Sequence, residues 1–195
     1  ESLNQTTRRA YDSWRLPPNM SGQLMQQWPL KPLGELCTIV NGGTPKSKVS
    51  EYWGGEINWI TPAEMGKMST PYIDTTNRKI TELGLQKSSA KLFPSHSVIL
   101  STRAPIGHLA INTSTMSTNQ GCKTLVPNDE LDHKYLYYFL YFNKVLLDSL
   151  GAGATFKELS GKNLKSVEIP VPPIEEQQRI VSILDETFEN IETSY

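Results

Sequence analysis

Two cysteines and three histidines among 195 residues leave little material for a metal centre or a disulfide framework. Cys37 and Cys122 lie far apart and follow no ligand spacing, so two buried thiols in a reducing compartment are expected. His96, His108 and His133 are scattered, and none pairs with a cysteine at metal-ligand spacing. No apolar run approaches the ~18 residues of a membrane span, and no signal peptide opens the chain. A cytoplasmic protein with no membrane partner is expected. The first residue is Glu1, not Met, which reads as a fragment or a processed chain.

Catalytic motifs are missing as well. A P-loop needs glycine five residues before Gly161-Lys162, where Phe156 stands. Gly42-Gly43 and Gly151-Ala-Gly153 make no GxGxxG after a buried strand. No serine sits in a nucleophile-elbow pattern. Glu175 and Glu176 are neighbours, and adjacent helix residues point apart, so a solvated first turn is expected instead of an acid–base pair. The expectation is a chain with no catalytic activity of its own.

An excess of charge of either sign is also lacking, since the formal net charge is −1. The average hides an asymmetry. Trp28 to Pro127 carries ten Lys/Arg against six Asp/Glu, whereas Glu168 to Glu192 carries one Arg against seven acids. A mildly basic body suits a polyanion, and an acidic helix suits a protein.

The remaining texture is globular, with 37% hydrophobic residues and length for one core plus a helical appendage. Residues 1–16 read as the last turns of a helix, with Leu3, Thr7, Ala10 and Trp14 on one side and Pro17-Pro18 as its stop. Residues 17–27 read as a linker. Candidate strands follow at Cys37–Val40, Ile57–Ile60, Ser97–Thr102, His108–Ile111 and Cys122–Val126. One helix is expected over Asp132–Leu150, with Asp132 as N-cap and Gly151 and Gly153 beyond its end. Val167, Ile169 and Val171 alternate as a strand that stops at Pro172-Pro173. A final helix opens with Glu175 and Glu176 at its positive end. Along it Val181, Leu184, Phe188 and Ile191 form a coiled-coil-type seam whose partner is expected outside the chain. The pattern is α+β, mixed and mainly antiparallel, flanked by long coiled-coil-type helices.

The loops carry the functional signal. Asn41-Gly-Gly-Thr-Pro-Lys-Ser-Lys offers glycine-freed amides with Thr44, Lys46 and Lys48 to phosphate oxygens, or is a plain turn. Trp53 and Trp59 could stack on bases or fill a core. Arg103, leaving a strand, could fork onto guanine or phosphate, or hold loop carbonyls. Asn119 and Gln120 suit adenine edges but also close turns, with Lys123 just beyond. Lys87 and Lys91 bring charge to a further loop. Taken together on a basic β body, these loops point to double-stranded DNA.

The same segments carry a family resemblance. In order they are Asn41-Gly-Gly-Thr-Pro, Tyr52-Trp-Gly-Gly-Glu-Ile-Asn-Trp-Ile-Thr-Pro, Ile80-Thr-Glu-Leu-Gly-Leu and Ser101-Thr-Arg-Ala-Pro-Ile-Gly. They continue through Thr118-Asn-Gln-Gly, Tyr135-Leu-Tyr-Tyr-Phe-Leu, Ala154-Thr-Phe-Lys-Glu-Leu and Ile169-Pro-Val-Pro-Pro-Ile-Glu-Glu-Gln-Gln-Arg-Ile-Val. The set resembles the specificity subunit of type I restriction–modification enzymes over residues 28–192. The resemblance implies a helix end at 1–16, a linker at 17–27, a target recognition domain at 28–171 and the start of a conserved spacer helix at 172–195. It implies that two such domains each read half of a split DNA target. The helices between them would set the spacing and dock methyltransferase subunits, with restriction subunits outside. S-adenosylmethionine, ATP and magnesium would then belong to the partner subunits, and no cofactor to this chain. A single half implies a second specificity half or a homodimer, with Leu3, Ala10, Trp14, Val181, Leu184, Phe188 and Ile191 as assembly residues. Two other readings remain open: the recognition domain of a single-chain restriction–modification enzyme, and a β-rich interaction module that binds no nucleic acid.

Overall fold

The computed structural model describes residues 28–103, 105–153 and 157–192. The expected helix end at 1–16, with Leu3, Ala10 and Trp14, the linker, and the side chain of Ile191 lie outside the described residues. In chain order the elements begin with β1 (Leu30–Pro32), α1 (Leu33–Leu36), β2 (Cys37–Asn41), β3 (Trp53–Ile60), α2 (Pro62–Met65), β4 (Tyr72–Ile73), β5 (Lys79–Ile80) and α3 (Glu82–Gln86). They continue with β6 (Val98–Thr102), β7 (Ile106–Asn112), β8 (Ser117–Thr118), β9 (Cys122–Pro127), α4 (His133–Phe142), α5 (Lys144–Ser149), α6 (Gly161–Lys165), β10 (Glu168–Pro170) and α7 (Ile174–Glu192).

The main sheet runs β2-β9-β6-β7-β4 and is antiparallel except where β4 joins β7 in parallel. Its central strand β6 is buried along its whole length, and it opens with the apolar run Val98-Ile-Leu100 before buried Ser101 and Thr102. The two-residue period divides its side chains between two cores. Val98 and Leu100, with Leu109 and Ile111 of β7, pack against α1 and α4. Ile99 and Ala110 face the other way, onto Ile60, Met65 and Phe93. Fully burying each large aliphatic contributes about 1.5–3 kcal/mol. A smaller sheet has β3 between antiparallel β5 and parallel β8. A third pairs β1 with β10, Leu30 opposite Pro170, extended by Val171 N–H to Pro29 C=O at 2.9 Å and Leu33 N–H to Val167 C=O at 2.8 Å.

Asp132 caps α4, its Oδ1 accepting from the backbone of Lys134 at 2.8 Å and Tyr135 at 3.0 Å. The single helix expected over Asp132–Leu150 is instead two. At Asn143 the backbone leaves the α region (φ −103°, ψ 23°). The Asn143 side chain donates to the Phe139 carbonyl at 2.8 Å, competing for the acceptor that its own backbone N–H uses.

The last helix corrects the seam reading. Gln177, Val181, Asp185 and Phe188 recur at helical spacing and all bind the chain's own domain. Val181 is buried in the main core, with Leu184 and Phe188 packed against it. Asp185 accepts from Lys134 Nζ at 2.9 Å and from Tyr138 Oη at 2.5 Å. Burial and the Asp185 hydrogen bond push the Tyr138 phenol up, so it stays a donor at neutral pH. Phe188 stacks on Tyr138 with centroids 5.7 Å apart and planes 10° apart. The Val181, Leu184 and Phe188 positions of that spacing are satisfied inside the fold, Phe188 against α4. Ile183, on the outer side, remains exposed. Phe188→Ala should therefore destabilise the domain by about 1–2 kcal/mol in a urea melt, with far-UV signal retained. An unchanged midpoint would refute this seat for α7.

Candidate nucleic-acid interface

Strand pairing alone gathers the candidate loops. Asn41, ending β2, lies opposite Lys123, and Cys122, opening β9, lies opposite Ser101 near the end of β6. Thr102 in turn pairs with Ile106 at the start of β7. The segments 41–48 and 119–121, with Thr102 and Ile106, thus share one end of the main sheet. Gly43 draws in the 87–91 segment, because a Cβ there would lie 2.2 Å from Ala90 N and 2.3 Å from Ser89 C. Leu159 N–H, donating to Thr102 C=O at 2.8 Å, brings in 157–162.

The glycine pair does a different job from the one expected. Gly42 N–H donates to Cys122 C=O at 3.2 Å and Gly43 N–H to Thr118 C=O at 2.9 Å, so neither amide is open to phosphate. Neither has a positive φ. Glycine is needed for close approach of two backbones: a Cβ on Gly42 would lie 1.8 Å from Asn119 O.

The side chains divide into three groups. Lys46, Lys48, Lys87 and Lys91 are exposed and make no ion pair among the described residues. Thr44 is exposed and its hydroxyl donates to the Gln120 side-chain oxygen, tying two loops together. Asn119 closes its own turn, Oδ1 accepting from Gly121 N–H at 2.9 Å. Arg103 is half-exposed, 3.6 Å from a Glu158 carboxylate oxygen. Lys123 corrects the expectation. Its side chain is only 9% exposed, and its ammonium lies 3.8 Å from the other Glu158 oxygen. The cause is topological: β2 and β6 flank β9 on both sides, so Lys123 passes beneath the 157–161 segment. One carboxylate between two cations leaves net positive charge at this end of the sheet.

Of the two tryptophans, Trp59 is core. It is buried and donates Nε1–H to Gly43 C=O at 2.9 Å. Trp53 is half-buried, donates to Lys46 C=O at 3.3 Å, and meets Trp59 edge-on at 5.1 Å. Arg78 lies over both rings. Sequence reasoning missed it, because it stands outside every glycine- or serine-rich segment and only the β3–β5 pairing brings it there.

Other reactive groups are quiet. Burial pushes the thiols of Cys37 and Cys122 up to about 12, so both stay protonated and poorly nucleophilic. His96 and His133, distant in sequence, come together with ring centroids 4.9 Å apart. Among the described residues no group of three metal-type ligands forms around them. No described helix is long and apolar enough to cross a membrane.

Fold and site together define a binding domain of mixed α/β build. It presents basic, hydrogen-bonding loops at one end of an antiparallel-dominated sheet. The chain belongs to the type I restriction modification DNA specificity domain family, whose profile matches residues 25–194. It is 39% identical over 175 residues to the type I restriction enzyme MjaIX specificity subunit of Methanocaldococcus jannaschii, covering 87% of this chain and 40% of that protein. With the Escherichia coli EcoR124I/EcoR124II specificity subunit it shares 34% identity over 162 residues, covering 80% of this chain and 39% of the relative. The chain thus spans about two-fifths of these curated relatives. Among solved structures, the HsdS subunit of Thermoanaerobacter tengcongensis matches with a TM-score of 0.69 at 25% identity, covering 98% of this chain and 44% of that one. A chain from a study of complex assembly and conformational transition of the type I R-M system matches with a TM-score of 0.71 at 26% identity, covering 98% and 46%.

Proposed function

We propose that this chain is one recognition half of a type I specificity subunit. It binds double-stranded DNA in a sequence-specific way, without catalytic activity of its own, and directs methyltransferase and restriction subunits to a split target. One observation carries this reading: four loops distant in sequence converge at one sheet end, with Lys46, Lys48, Lys87 and Lys91 exposed and unpaired. Those lysines suit phosphates, while Thr44, Gln120 and Arg103 carry the donors and acceptors that suit base edges. Lys123 supports the loop bed from within. In this reading residues 28–171 recognise and 172–195 connect. S-adenosylmethionine, ATP and magnesium serve the partner subunits in the cytoplasm, and a second specificity half or a second copy completes the target. Leu3, Ala10 and Trp14 keep their expected assembly role in this reading, and exposed Ile183 joins them on α7, since Val181 is buried in this domain's core.

The test is DNA retention by the chain with its methyltransferase subunits, measured against salt. Phosphate contacts predict steep weakening as salt rises. Lys46→Gln with Lys48→Gln should flatten the slope of log K on log salt by about 1.8. Absence of sequence-specific retention at low salt would overturn the reading.

A further inference from the structure

Arg78 is held as few surface arginines are. Its guanidinium carbon lies 4.0 Å from the Trp53 ring centroid and 4.9 Å from that of Trp59. The two rings stand at 80° to each other, so the guanidinium sits in the angle of a T. Both walls are fixed by one loop, Trp59 through the Gly43 carbonyl and Trp53 through the Lys46 carbonyl. The Arg78 backbone is fixed too, its carbonyl accepting from Trp59 N–H at 3.2 Å and from Thr76 Oγ1 at 2.6 Å. Yet the residue is exposed, and among the described residues no carboxylate or carbonyl takes its side-chain N–H groups.

An arginine with its plane immobilised and its donors unpaired is prepared for a planar, two-point acceptor. The ordering cost that a free arginine would meet on binding has already been met by the fold. Position adds to this, since the stack borders the Lys46 and Lys48 loop. A phosphate asks mainly for charge, and exposed Lys46 and Lys48 supply that without a fixed plane. A fixed plane gains most where orientation discriminates, and guanine, with O6 and N7 side by side in the major groove, is the base edge that an arginine fork fits.

We propose that Arg78, clamped between Trp53 and Trp59, is a specificity-determining residue that reads a guanine edge in the DNA half-site, with Trp53 as its positioning residue. This rests on the DNA-binding reading above. The experiment uses the full specificity subunit with its methyltransferase subunits and a randomised duplex library, followed by the selected duplex with each base pair changed in turn. Arg78→Ala and Arg78→Lys should each lose about 5- to 150-fold of discrimination at one G·C position. Arg78→Lys should keep the wild-type salt slope, because its charge remains. Trp53→Phe should retain most of the discrimination and Trp53→Leu should lose it, with thermal melts confirming that each variant folds. Wild-type specificity in Arg78→Lys, or uniform weakening on every duplex in Arg78→Ala, would overturn the proposal in favour of a phosphate contact. A wild-type complex with no preferred duplex would bring down the DNA-binding reading itself, and this proposal with it.

Discussion

Gly42→Ala should destabilise the domain by about 3 kcal/mol or more, the upper end of what overpacking costs. The added methyl would lie 1.8 Å from Asn119 O and 2.6 Å from Asn119 C, both main-chain atoms that no rotamer change removes. Relief requires the 41–48 and 117–121 segments to part, breaking the Gly42 to Cys122 and Gly43 to Thr118 hydrogen bonds. At about 2–4 °C per kcal/mol for a chain of this size, the midpoint should fall by roughly 6–12 °C. DNA retention should be lost at temperatures where the variant is still folded, because the same separation moves Thr44 and Gln120 apart. Gly54→Ala is the control. Nothing lies within 4 Å of a Cβ there, so only its positive φ of 76° opposes the change, at about 1 kcal/mol. Equal effects at the two positions would refute the close-approach explanation.

Gln177→Leu should be nearly as damaging, at about 3 kcal/mol, although it replaces a polar residue by an apolar one of similar size at a buried site. The Gln177 side chain is fully buried at the start of α7. Its oxygen accepts from Asp132 N–H at 2.8 Å, and its nitrogen donates to Glu130 C=O at 2.8 Å and Pro172 C=O at 2.9 Å. Leucine would leave three main-chain groups without a partner, each costing about 1–3 kcal/mol if it stays dry. Gln177→Glu tests whether shape or hydrogen bonding matters. It keeps the shape, but an ionised carboxylate has no donor for either carbonyl, so at neutral pH it should be no better than leucine. Urea melts settle the ranking. A neutral Gln177→Leu would mean that α7 is held by Val181, Leu184, Asp185 and Phe188 without help from this hydrogen-bond cluster.

The longer strands were legible because burial writes itself into composition. β6 begins with three successive apolar residues since both faces are covered, and the alternation at Val167 and Ile169 marks buried positions in and beside β10. β1, β4, β5 and β8 were not legible. Each is two or three residues long, too short for a period, and exists only through a partner far away in sequence. The break at Asn143 escaped for a related reason, because Leu136, Leu140 and Leu147 keep one buried face across it. In the candidate site, loop membership was readable from residue type, but accessibility was not. Lys46 and Lys123 look alike in sequence, and only strand order puts one in solvent and the other beneath a carboxylate. Arg78 was invisible for the opposite reason, since its value comes from two rings that the fold delivers to it.

The β1–β10 ribbon has a consequence for how such a domain can be handled. Leu30 and Pro170 face each other across one rung of a ladder, so the chain leaves the body beside the point where it arrives. A segment whose two ends lie about 5 Å apart can be lifted out and set into another host at a single junction. The host sees the same two neighbouring attachment points whatever lies between them. Everything from Lys31 to Ile169, together with the face of α7 that packs on it, is then the unit to exchange, and retargeting becomes a matter of transplanting a whole body instead of redesigning a surface.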